Sequence, residues 1–295
     1  MKIAIVVLNF NGLEDTLECL DSLRRLEIGK NTLEIIVVDN ASQDGSAEAM
    51  SKLRDINLLA TSNNLGFCGG NNLGIKRAMD RGADWILILN NDTTVDFHLI
   101  EAFLKDAKDA DIITPKIYFA AGFEFHKSRY KKSELGKVIW YAGANIDWKN
   151  IIGTHNGVDE VDRGQFSKKR EIDLATGACM FVSRKVFENI GLFDEKYFLY
   201  MEDMDFCVRA KGAGFKILFE PKAILWHKNA ASTGGSGSDL QDYYITRNRL
   251  LFAARYAKIR TKIAVVRQII KESANPIKRK ALLDFFTFKF GKGSI

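Results

Sequence analysis

The sequence predicts an α/β protein with a mainly parallel sheet, and two observations in its first 116 residues point that way. Short apolar runs alternate with segments whose apolar residues recur at helical spacing. The alternation implies right-handed crossovers, which put helices on both faces of the sheet. Successive strands also stop at Asn or Asp, on the edge where such sheets place their ligands.

Lys2–Leu8 reads as the first strand, and Leu13–Leu26 as a helix with Leu13, Leu17, Leu20 and Leu23 on one face. Leu33–Val38 is a second strand, Gly45–Arg54 a helix, Asn57–Ala60 a short strand, Asn72–Arg81 a helix and Trp85–Leu89 a buried strand. Residues 117–172 are Lys-rich and broken by Gly136, Gly143, Gly153, Gly157 and Gly164. They predict a small antiparallel insertion that includes Val138–Tyr141. Ala178–Ser183 resumes as a buried strand, followed by helices at Arg184–Ile190 and Glu202–Lys211 and strands at Ile217–Phe219 and Ala223–Trp226. A flexible Gly/Ser loop at 232–238 leads into helices from about Asp239, broken near Pro276.

Of the 295 residues 46% are hydrophobic, enough for a sizeable core. No apolar run approaches the roughly 18 residues of a membrane span. Met1–Asn9 is too short for a signal peptide and lacks a small-residue cleavage site, so a cytoplasmic protein is expected. Cys19, Cys68, Cys179 and Cys207 form no CxxC pair and predict reduced thiols, not a zinc site or a disulfide framework.

Charge is unevenly spread: residues 247–295 hold 13 Lys and Arg against Glu272 and Asp284, and the rest of the chain is net negative. Leu250, Tyr256, Ile263, Ile270, Phe286 and Phe288 interleave with those cations, which predicts contact with an anionic membrane surface. A solvated helix face over the core is the plainer alternative, and no nucleic-acid motif accompanies the charge.

The strand ends carry Asn9-Phe10-Asn11, Asp39-Asn40, Asn63-Asn64 and Asn90-Asn91-Asp92. Any one of these is an ordinary turn; four on one edge suggest a ligand crevice. Asp39 is placed to accept hydrogen bonds from a base imide or a ribose hydroxyl, or else to cap the helix near Ser46. In GFCGGNN, 66–72, the spacing is wrong for a dinucleotide fingerprint. Gly69 and Gly70 there would let backbone approach a nucleotide, with Asn71 capping the helix or touching the ligand. Glu202, Asp203 and Asp205 open a predicted helix, where the dipole favours acids, yet three carboxylates beside Tyr197, Phe198 and Tyr200 would also raise at least one pKa.

Taken together and in order, VVLNFNG (6–12), IIVVDNASQDGS (35–46), NNLGFCGGNNLGI (63–75), LILNNDT (87–93), ATGACMFVSRKVFENIGLFDE (175–195), YMEDMDFCVRAKGAGFKI (200–217) and His227 resemble the inverting family-two glycosyltransferases of the GT-A fold. Rhamnosyltransferase-like and galactofuranosyltransferase-like members that build bacterial polysaccharides are the nearest in pattern. The resemblance runs from about residue 3 to residue 250.

It implies a catalytic domain over 1–238, with a nucleotide half to about 116 and an acceptor half beyond, and a basic helical extension over 239–295. It further implies a nucleoside-diphosphate sugar donor, dTDP-rhamnose or a UDP-sugar, and a saccharide or lipid-linked acceptor at the inner face of the membrane. Asn9, Asp39, Asn64, Gly69, Gly70, Asn71, Asn90 and Asn91 would form the donor site. The family's DxD motif falls on Asn90, Asn91 and Asp92, so an amide replaces the first carboxylate. Asp92 would hold Mg²⁺ or Mn²⁺, with His227 as second ligand unless it is a structural histidine.

Asp203 would be the general base, with Glu202 its neighbour. Thr176 and Gly177 would border the acceptor. Arg247, in a YYITRN run (243–248) that similar enzymes share, would reach the diphosphate or an acceptor phosphate, unless it is a solvated helix charge. The Gly/Ser loop would fold over the diphosphate or serve as a linker. A sugar nucleotidyltransferase is the enzymatic alternative, but Asn9-Phe10-Asn11-Gly12 lacks the cation such an enzyme needs. A silent sugar-nucleotide or membrane scaffold is the non-enzymatic one.

Overall fold

The structure is a computed structural model that describes residues 1–229 and 238–295. Its first half runs β1 (Lys2–Asn9), α1 (Leu13–Leu23), β2 (Thr32–Asp39), α2 (Ser46–Ser51), β3 (Asn57–Ala60), α3 (Gly66–Asp80), β4 (Trp85–Asn90), β5 (Thr93–Val95), α4 (Leu99–Asp106) and β6 (Ile112–Phe119). The insertion supplies β7 (Ile139–Tyr141), β8 (Ala144–Asp147), β9 (Ile152–His155) and β10 (Arg170–Glu171). Then come β11 (Cys179–Ser183), α5 (Arg184–Ile190), α6 (Glu202–Gly212), β12 (Ile217–His227), α7 (Asp239–Tyr256), α8 (Ile259–Glu272) and α9 (Pro276–Phe286). The Gly/Ser loop expected at 232–238 lies outside the described residues except for Ser238, whose hydroxyl caps α7.

The main sheet runs β10-β12-β6-β11-β4-β1-β2-β3, with β5 added to β12 and β7 to β6. The long strands β1, β2, β4, β6 and β12 all run one way, and β11 runs against its neighbours β4 and β6. Ile3 to Val7 and Ile86 to Leu89 are almost wholly buried, as strands covered on both faces must be. Leu250, Leu251 and Phe252 of α7 and Val265 and Ile269 of α8 belong to the same apolar core as the sheet.

Three local outcomes differ from the sequence expectation. β6 runs through positions 112–119, although the insertion was expected to begin at 117. Pro115 pairs opposite Glu220, where β12 shifts register, so its missing N–H falls at an irregularity. That same shift joins the two short strands expected at 217–219 and 223–226 into one. Finally, α3 starts at Gly66, six residues before the expected Asn72, which places the glycine cluster inside a helix.

Candidate active site

The ends of β1, β4 and β12, the turn before β11 and the start of α6 surround a cleft of about 610 Å³. β5 makes one corner of it. After β4, the chain turns through Asn91 and Asp92 and pairs Thr93 with His227 at the end of β12. This register brings Asp92 and His227 together, and His227 Nε2 lies 3.0 Å from Asp92 Oδ1. Both ring nitrogens of His227 are buried, and neither has a hydrogen-bond partner among the described residues. An imidazole nitrogen and a carboxylate oxygen that converge in this way fit a cation shared between them.

The opposite wall carries the acidic pair. Asp203 accepts backbone N–H groups on both oxygens, from Gly177 at 3.1 Å and from Met204 at 2.8 Å. Burial nevertheless holds its pKa above the usual carboxylate range, against those two N–H groups. Glu202 is more deeply buried, and its Oε2 has no hydrogen-bond partner among the described residues. Burial first, and Asp203 beside it second, push its pKa well up. Asp205 turns away and binds Arg209, Arg255, Tyr197 and Tyr256, so the expected trio acts as a pair at the cleft.

Amides order the strand-end wall. Asn91 Nδ2 reaches Asn9 Oδ1 at 3.3 Å and Thr16 Oγ1 at 3.0 Å, and Asn9 Nδ2 donates to Asp39 Oδ2 at 2.8 Å. Asn9 and Asp39 are themselves buried behind the cleft wall, where Asp39 also accepts from Ser42 N and caps no helix. Asp44 takes that role, accepting from Ser46 N. Asn40, Asn64, Asn90 and Asn91 line the cleft, as do Thr176 and Gly177.

The profile of the family described as Glycosyl transferase family 2 matches residues 4–191. The chain belongs to that family. It is similar to the low-salt glycan biosynthesis hexosyltransferase Agl10 of Haloferax volcanii, 26% identical over 84% of this chain and 74% of that one. It is also similar to the N-acetylglucosaminyl-diphospho-decaprenol L-rhamnosyltransferase of Mycobacterium tuberculosis, 29% identical over 68% of each chain. The mannosyltransferase PcManGT of Pyrobaculum calidifontis, solved with GDP-Man and Mn²⁺, superposes with a TM-score of 0.56 at 14% identity, covering 99% of this chain and 76% of that one, and shares the fold. The architecture is thus GT-A, and the chain is a glycosyltransferase that uses a nucleotide sugar.

Four expected site residues of this glycosyltransferase stand elsewhere. Gly69 and Gly70 lie buried inside α3; a Cβ on Gly70 would collide with Leu8, so this glycine serves helix-on-strand packing and not approach to a nucleotide. Asn71 is likewise mid-helix and donates to Phe67 O at 2.9 Å, capping nothing. Arg247 is fully buried and bonds the carbonyls of Lys196, Tyr197 and Gly291, outside the lining of the cleft. Among the described residues no Lys or Arg lines the cleft.

The sequence reading missed an aromatic side of the site. Trp140 and His155 come from the insertion, whose residues carried no motif, and Trp140 meets His227 edge to face at 4.6 Å. Burial holds the His155 pKa down to about 4. Phe10, Phe67, Phe125, Phe198 and Tyr200 also line the cleft.

Proposed function

We propose that this glycosyltransferase is an inverting, metal-assisted enzyme moving a sugar from dTDP-rhamnose or a UDP-sugar to a saccharide or lipid-linked saccharide in surface polysaccharide synthesis. One observation carries it: the Asp92–His227 corner and the Glu202–Asp203 pair face a single cleft. The rhamnosyltransferase relative supports a rhamnosyl donor and the lipid-linked acceptor.

Asp203 accepts the proton of an acceptor hydroxyl while that oxygen bonds to the anomeric carbon. The bond to the nucleoside diphosphate breaks on the opposite face, the diphosphate leaves with the electron pair, and configuration inverts. Glu202 beside it is the more deeply buried of the two and is pushed well above the usual carboxylate range, which leaves Asp203 as the member of the pair that takes the proton. Asp92 and His227 would hold Mg²⁺ or Mn²⁺, which supplies positive charge to the departing diphosphate. Asn90 and Asn91 orient the donor, and Thr176 and Gly177 border the acceptor. Asn9 and Asp39 act from behind by fixing Asn91 and the base side of the pocket.

Residues 1–238 supply this chemistry, and 239–295 the membrane contact. Ile259, Ile263, Ile270, Leu283, Phe286 and Phe288 are exposed there among Lys and Arg, fitting the anionic inner face of the cell membrane. None of the described helices is long and apolar enough to cross a membrane.

The test is transfer of labelled rhamnose from dTDP-rhamnose, with UDP-sugars run in parallel. Asp203→Asn should lower kcat by about 10²- to 10⁴-fold while the thermal shift given by dTDP with Mn²⁺ persists. A variant as fast as the native enzyme, or a native protein without turnover on any of these donors, would sink the proposal.

A further inference from the structure

The loop that delivers the acidic pair is held in an unfavourable conformation. Phe198, Tyr200 and Met201 have φ of 64°, 67° and 69°, left-handed backbone that costs a side-chain-bearing residue on the order of 1 kcal/mol or more. Such a run persists only where its surroundings over-determine it. Every carbonyl from Lys196 to Tyr200 is claimed from outside the loop. Lys196 O accepts from Gly291 N at 2.9 Å and from Arg247 at 3.1 Å. Tyr197 O accepts from Arg247 at 3.0 Å and Asn248 at 2.9 Å, and Phe198 O from Cys68 N at 3.2 Å. Leu199 O and Tyr200 O both accept from Asn248 Nδ2 at 2.8 Å.

Arg247 is in turn anchored by the segment after α9. Its Nη1 donates to Gly291 O at 2.7 Å, while Tyr244, which stacks on Phe198, donates through its hydroxyl to Lys292 O at 2.9 Å. Ser294 ties the same segment to Asp284, itself hydrogen-bonded by Tyr243. Residues 289–294 thus touch the loop directly and through a buried arginine, although they line no part of the cleft.

We infer that residues 289–294, acting through Arg247 and Asn248, position Glu202 and Asp203 for the transfer step. The inference rests on Asp203 being the base. A Cβ on Gly293 would collide with the Tyr243 hydroxyl and come within 2.7 Å of Arg247 Nη1, so the full-length Gly293→Ala enzyme disturbs this brace with one methyl group far from the chemistry. Tyr244→Phe, which keeps the ring and loses only the bond to Lys292, is the milder second variant.

With dTDP-rhamnose, or whichever donor turns over, Gly293→Ala should lower kcat by roughly tenfold or more and Tyr244→Phe by roughly two- to fivefold. Donor KM and the thermal shift given by dTDP with Mn²⁺ should stay within about twofold of native, and the acid limb of the kcat profile should move. Native kcat and pH profile in both variants would overturn the inference. So would a parallel fall of kcat, donor affinity and melting temperature, which marks a structural role only. An Asp203→Asn enzyme with native kcat would instead remove the base assignment itself, whatever the two variants do.

Discussion

His227 Nδ1 is buried without a hydrogen-bond partner among the described residues, and Nε2 converges on the Asp92 carboxylate at 3.0 Å, a costly arrangement for a polar ring beside Trp140 unless a cation repays it. Replacing groups that merely orient a metal ligand costs about 10- to 100-fold in affinity, so His227→Ala should raise the Mn²⁺ concentration for half-maximal activity by at least that much. An unchanged Mn²⁺ titration would return His227 to a structural role. Away from the cleft, burial and the neighbouring Asp106 push the Glu220 pKa to about 7. Asp106 Oδ2 has no hydrogen-bond donor among the described residues, a lack that a protonated Glu220 remedies. A carboxyl whose pKa rises on folding stabilises the fold fully below its unfolded value, and this contribution is lost as pH climbs from about 4.5 towards 7. Glu220→Gln keeps a donor at every pH. It should therefore leave stability near native at pH 4.5 and add about 1–2 kcal/mol at pH 8, as judged by urea unfolding; an equal effect at both pH values would refute the shared proton. Single residues were legible where chain position restricts their use. Asp92 after a strand and Asp203 at a helix start stood out, whereas Arg247 misled because nothing in a sequence shows which carbonyls will surround a guanidinium.

Most strands and helices followed from apolar periodicity, and the exceptions have local causes. β6 carries Pro115, a poor residue for a central strand, which the register shift of β12 accommodates. The early start of α3 was hidden by its own glycines, poor helix formers that survive because the helix lies so close to β1 that side chains do not fit. Gly74 meets the stiffer neighbours: a Cβ there would strike Val6 and stand 3.2 Å from Val38, both fully buried and both β-branched with little freedom to move. Gly74→Ala should thus destabilise by about 1–3 kcal/mol despite its better helix propensity. Gly212, the last residue of α6, has open space around its Cβ position and no left-handed φ. Gly212→Ala should be neutral or stabilising by up to about 1 kcal/mol. Thermal melts of the two variants side by side check the pair; equal losses would mean that close packing does not explain the α3 glycines.

Over the whole molecule, the charge division seen in the sequence maps onto shape. From 258 to 295 the exposed charges are cationic, including Lys258, Arg260, Arg267, Lys271, Arg279, Lys280 and Lys289, because Asp284 is buried and Glu272 is paired with Lys278. Among them Leu283, Phe286 and Phe288 are 58%, 54% and 80% exposed, more apolar surface than a solvated helix face needs. Deleting these helices would be an ambiguous experiment, since Val265, Ile269 and Ala281 are buried and their loss opens the core. Exposed positions avoid that difficulty. Burying a Leu or Phe contributes about 1.5–3 kcal/mol, and each 1.4 kcal/mol is about a tenfold change in affinity. The full chain should therefore cosediment with phosphatidylserine vesicles, and Leu283→Ser, Phe286→Ser and Phe288→Ser combined should weaken that binding at least tenfold with little change in melting temperature. Raising ionic strength should weaken the native protein too, because the cations act within a Debye length of the surface. If the triple variant binds as tightly as native, the apolar residues do not enter the bilayer and the helical tail meets some other partner.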